Sequence, residues 1–181
     1  MSAVEIVFAL ILLLLVAGVF LFNRLVKDRN RVRAAWSDID VQLTRRHDLV
    51  PMLVEAVKGY AGHERATLEA VTELRRQSTA AQRLADKADL EDRLERGVHK
   101  LIALAEAYPD LKANQNFLKL QEDLVDVEDH LQYARRFYNG AVRMLNTRVE
   151  TVPDVIIANL FRFRAAEFFE ADYRAAPEVD L

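Results

Sequence analysis

The stretch FLKLQEDLVDVEDHLQYARRFYNGAVRML, Phe117 to Leu145, decides the fold. Phe117, Leu120, Leu124, Val127, Leu131, Ala134, Tyr138, Ala141 and Leu145 recur at alternating spacings of three and four. Such a seam belongs to an α-helix that packs its apolar stripe on other helices. Glu122, Asp123, Asp126, Glu128 and Asp129 fall at the remaining heptad positions and are expected to face water. The rest of the chain then reads as helices that cover this seam, plus a segment that ties them to a membrane.

Composition agrees. The 181 residues suffice for one domain and an anchor, and 51% are apolar, enough for a real core. Five Gly and four Pro leave few breakers among many Ala, Leu, Glu and Arg, which favours an all-α fold. No cysteine is present, so disulfides, thiolate metal sites and a cysteine nucleophile are excluded. A net charge of −3 supplies no basic field for nucleic acid.

Ile6 to Phe22 carries no charge and, with Ala3 and Val4, approaches the roughly 20 residues that cross a bilayer. Arg24, Lys27, Arg29, Arg31 and Arg33 follow at once, opposed by Asp28 alone. No Lys or Arg precedes the span. The positive-inside rule therefore puts the N-terminus outside and the helical part in the cytoplasm, with the five cations toward anionic lipid head groups. A cleaved signal peptide is the competing reading. It wants a basic start and a small-x-small site, whereas Glu5 precedes the run and Leu21-Phe22-Asn23 ends it. The expected division is an anchor over 1–23, a helical bundle of about four helices over 24–173, and a flexible tail over 174–181.

Trp36, Ile39, Leu43, Arg46, Val50, Leu53, Val57 and Tyr60 form a second stripe of threes and fours. Arg46 stands at an inward position and needs a partner there, or must snorkel outward. Pro51 removes a backbone donor within this helix. Gly59 and Gly62 mark the first turn. With Pro51 they make the candidate hinge. From His63 to Ala107 the pattern is helical but weak between Gln77 and Asp89. One helix, or two divided by a Ser78-Thr79 cap, both fit. Pro109 ends that region, and Asp110, Asn114 and Asn116 offer caps for the next helix. Pro153-Asp154 opens a short last helix with Ile156, Ile157, Leu160 and Phe161, followed by Phe163, Phe168 and Phe169. These side chains either close the end of the core or form an exposed patch for a partner or a bilayer.

The usual chemistries find no residues. A di-iron bundle wants Glu three residues before His, but Thr44, Tyr60, Arg96 and Val127 precede the four histidines at that spacing. No zinc-protease, nucleophile-elbow or phosphate-loop motif occurs. No catalytic, cofactor-binding or metal-ligating residue is therefore assigned. The polar cluster Arg45-Arg46-His47-Asp48 wraps half of the first helix just before Pro51. It is either an ion-pair network within the bundle or an interaction surface for an acidic or phosphate-bearing partner.

The run AWSDIDVQLTRRHDLVP, residues 35–51, resembles the LemA family. Leu53-Val54-Glu55 and Val57-Lys58-Gly59-Tyr60-Ala61-Gly62-His63-Glu64 extend the likeness. So do Tyr108-Pro109-Asp110-Leu111-Lys112-Ala113-Asn114 and Ala134-Arg135-Arg136-Phe137-Tyr138-Asn139. Ala158-Asn159-Leu160-Phe161 through Phe169 adds a weaker block. The chain departs from the family's usual Asn-Asp at Asn139-Gly140, and Val152 precedes Pro153 where Phe is common. The resemblance implies a bacterial membrane protein with one N-terminal span, a long antiparallel helical bundle and no established enzymatic activity.

Two functions follow as expectations. One is a non-enzymatic, membrane-anchored scaffold for an unidentified protein partner. The alternative is a membrane-linked sensory or signalling adaptor that flexes at Pro51, Gly59 and Gly62. An apolar seam is satisfied within one chain or between copies, which leaves homo-oligomers open.

Overall fold

The structure, a computed structural model, describes residues 2–61 and 64–170. The candidate hinge residue Gly62 and the 174–181 tail lie outside the described residues. All the regular structure among the described residues is helical. Four helices are long: α1 (Ala3–Lys58), α2 (Arg65–Ala80), α3 (Leu84–Ala105) and α5 (Gln115–Glu150). Two are short: α4 (Pro109–Lys112) and α6 (Asp154–Leu160).

Local chemistry sets several ends. Ser2 Oγ accepts from the Glu5 amide at 3.3 Å, and Glu5 Oε2 accepts from the Ser2 amide at 3.0 Å. This capping box starts α1. Of the three cap candidates for α5, Asn114 serves, its Oδ1 accepting from the amides of Asn116 and Phe117. Pro109 opens α4, where its missing N–H costs nothing. α1 runs helical through Pro51, and Gly59 follows its last residue.

The region between the first turn and Pro109 is two helices, but the break is not at Ser78-Thr79. Both residues lie inside α2, and Arg83 occupies the cap position of α3 without a side-chain bond. Ala81 and Arg83 are extended, and the chain reverses there. Ser78 meets Glu91 and Val71 meets Gly97, so α2 and α3 run antiparallel. The approach is close: a Cβ on Gly97 would stand 2.8 Å from Val71 Cγ2. Tyr60, expected inward, lies beyond the end of α1 and is exposed, while neighbouring Ala61 is buried.

The chain packs as two compact units. One comprises Ile39–Arg135 and Phe168–Leu181. Its core draws Val50, Leu53 and Val57 from α1, Leu68 and Val71 from α2, Leu94, Leu101 and Ala105 from α3, Leu111 from α4, and Phe117, Leu120 and Leu124 from α5. Each fully buried leucine or valine here is worth about 1.5–3 kcal/mol over its exposed state.

The other unit comprises Met1–Asp38 and Arg136–Glu167. Leu25 and Ala35 of α1 are buried in it, as are Tyr138, Val142 and Leu145 of α5 and Ala158 of α6. Trp36 and Tyr138 meet edge to face at 5.7 Å. After α6 the chain has no regular structure as far as Glu170. Tyr138 Oη donates to the Glu167 carbonyl, and the Asn146 side-chain amide both donates to and accepts from the backbone of Ala166. Within α1 one 18-residue window is long and apolar enough to cross a membrane, and none of it is buried against the rest of the chain.

Candidate functional site

The polar run at residues 45–48 sits on one turn of α1, where the stripe that buries Leu43 and Val50 also carries Arg46 inward. The Arg46 side chain is 3% exposed. Its Nη1 donates to Glu91 Oε2 at 3.2 Å and to the Glu91 carbonyl at 3.4 Å. Its Nη2 pairs with Glu128 and lies 3.9 Å from Glu95 Oε2. One guanidinium thus stands among three carboxylates from α3 and α5.

Glu91 is the hub. It is fully buried, and it also takes the Ser78 hydroxyl from α2 and His47 Nε2 at 2.6 Å. His47 Nδ1 faces Thr79 Oγ1 at 3.3 Å, and Arg75 donates to the His47 carbonyl at 2.6 Å. Burial works to raise the Glu91 pKa. The hydrogen bonds from His47 and Ser78, with the charges of His47 and Arg46, outweigh it and hold the carboxyl below its ordinary value. Glu95 moves the other way. Burial, then repulsion from Glu128, raises its pKa against the pull of Arg46 and Arg135. Carboxyl groups one helical turn apart are therefore pushed in opposite directions.

The outer ring of this network is half exposed. Arg45 reaches Asp126 at 2.7 Å and Asp123 at 3.4 Å. Arg135 holds Asp92 at 2.8 Å and lies over the Phe169 ring. Asp48 is exposed. Of the four residues in the run, Arg46 and His47 turn into the bundle, and Arg45 and Asp48 reach the surface. Asp123, Asp126 and Glu128, expected to face water, are only partly exposed and serve as acceptors here. Their places beside the seam let them reach the neighbouring helix.

Glu91 is not among the residues the sequence singles out. The signal lay in the spacing of Glu91, Leu94, Val98, Leu101 and Ala105, an unbroken series of threes and fours with an acid at its head. No group of three or more metal-ligating side chains is gathered among the described residues. A surface hollow of about 600 Å³ lies over Val54, Leu68 and Thr72 and is rimmed by Glu55, Lys58, Arg65, Glu69 and Glu73. The Glu91 network does not line it.

In the other unit Arg24, Lys27, Arg29, Arg31 and Arg33 are all exposed on α1. Two of them also touch rings: Arg29 lies 5.0 Å above Phe163 and Arg31 lies 5.2 Å from Phe137. Asp28 turns inward, 2.5 Å from Arg148 Nε. Burial raises its pKa, partly offset by Arg24, Arg31 and Lys27.

The chain resembles known proteins over most of its length. Residues 35–181 match the LemA family, a span that takes in the Arg46 turn, Glu91 and Glu128. The whole chain aligns with Protein LemA of Metamycoplasma hominis at 26% identity over 188 residues, covering 99% of this chain and 85% of that protein. With its helices, its central ion cluster and most of its length inside the family match, the chain belongs to the LemA family.

Proposed function

We propose that this protein is a membrane-tethered interaction protein, in which a single span anchors a helical bundle that collects protein partners at the cytoplasmic face of a bacterial membrane. One observation carries the reading. The same helix that supplies Val50, Leu53 and Val57 to a packed core presents a long apolar stretch with no protein cover. Apolar surface of that extent requires another solvent, and a bilayer is the one that matches its length. The five cations after the stretch favour the cytoplasmic side. The ion network holds four helices together by internal pairs, which suits a fixed platform better than a reacting centre.

The cysteine-free chain makes the orientation testable. Single cysteines are placed at Ser2 or at exposed Lys119, and intact cells are treated with a membrane-impermeant maleimide. Labelling at Ser2 alone is expected. Labelling at Lys119 alone would put the bundle outside and overturn the cytoplasmic platform.

A further inference from the structure

We infer that the protein makes a second contact with the bilayer through α6, whose outer face lies in the lipid interface beside the span. This rests on reading Ile6 to Phe22 as a membrane span.

Three observations in one unit carry it. The first is position. Ile157 Cδ1 lies 4.0 Å from where a Cβ on Gly18 would stand, and the Phe161 ring is 4.7 Å from the Phe22 ring. Gly18 and Phe22 are about 6 Å apart along a helix and end the apolar run. α6 therefore sits at the depth where hydrocarbon gives way to head groups.

The second is inverted amphipathicity. Ile156 and Leu160 stand four residues apart in α6 and are 63 and 70% exposed, with Val152 before the helix at 80% and Phe161 after it at 54%. The inward side carries Ala158, half-buried Val155 and Ile157, and an acid, Asp154, which lies 4.0 Å from Arg148. A helix packed for water turns its apolar face inward. This one also turns large apolar side chains out, beside an apolar window that is otherwise uncovered.

The third is the exit from α6. The amides of Arg162 and Phe163 bond back to the carbonyls of Asn159 and Ala158, a Schellman turn with Arg162 at the left-handed position, φ 57°. Phe161-Arg162-Phe163-Arg164 then alternates rings and exposed cations. Rings at the interface with arginines reaching out to head groups are how segments lie in a membrane surface.

The test uses the full chain in phosphatidylcholine–phosphatidylglycerol vesicles whose acyl chains carry bromine. Ile156→Cys and Leu160→Cys are each labelled with a fluorophore, alongside Val16→Cys in the span and Lys119→Cys in the bundle. Loss of emission at Ile156, Leu160 and Val16, with Lys119 unaffected, is the expected result. Quenching at Val16 with full emission at Ile156 and Leu160 would overturn the inference and leave the span intact. Full emission at Val16 as well would remove the span and the inference with it. A disulfide between unlabelled Ile156→Cys copies, without quenching there, would give this face to a second copy and likewise overturn it.

Discussion

At the scale of single residues, the opposed behaviour of Glu91 and Glu95 makes a paired prediction. Removing one partner of a buried ion pair costs about 3–5 kcal/mol, because the other charge stays buried. Glu91→Gln is therefore expected to lower stability by about 3 kcal/mol or more at neutral pH. Glu91 has its pKa lowered by folding, so its contribution is complete above the ordinary carboxylate range and drains away as pH falls through the folded value. Glu95 has its pKa raised, so folding binds a proton there and stability falls as pH rises from the unfolded value through the folded one. Glu95→Gln should remove that loss and leave stability at neutral pH unchanged or higher. Urea titrations of both variants across the acid range decide it, and an unchanged midpoint for Glu91→Gln would sink the account. Arg46 was legible as a cation needing a partner, since it interrupts a clear stripe. Glu91 was not, because neighbouring Leu90 suits the apolar pattern better and masks an acid in true register.

At the scale of elements, the seam of α5 was almost wholly readable. Eight of its nine residues are buried, and Ala134 is half-buried. The α2–α3 hairpin was not readable. Ala81-Gln82-Arg83 holds neither Gly nor Pro, so the reversal leaves no local mark, and the Ser78–Glu91 contact that fixes it is a tertiary one. The glycines of α3 and α5 test this packing. Gly97→Ala drives a methyl into buried, branched Val71, and overpacking costs about 1–3 kcal/mol. The better helix propensity of alanine returns about 1 kcal/mol. A net loss is expected. Gly140 meets nothing within 4 Å, so Gly140→Ala should gain about 1 kcal/mol from propensity alone. Equal shifts for the two in denaturant unfolding would contradict the tight α2–α3 approach.

At the scale of the whole molecule, the apolar window of α1 was plain in composition but the two compact units were not. The stripe of α5 runs unbroken past Arg135 and Arg136, where one unit gives way to the other, and no change of composition marks the place. The exposed window in α1 predicts that the full chain stays in the membrane pellet through an alkaline carbonate wash. Release to the supernatant would mean surface adhesion rather than a span.

The pairing of Arg46 also has a consequence in time. Glu91 lies 45 residues and Glu128 lies 82 residues further along the chain. At ribosomal speeds of about 5–20 residues per second, Arg46 is made roughly 4–16 s before Glu128 exists. Glu91 and Glu95 are made earlier in that wait, and Glu128 completes the set around the guanidinium. The partners of the α2–α3 reversal, Ser78 and Glu91, are both made within that interval. The network around Arg46 is complete only when α5 arrives, so the long seam that begins at Phe117 also delivers its last carboxylate.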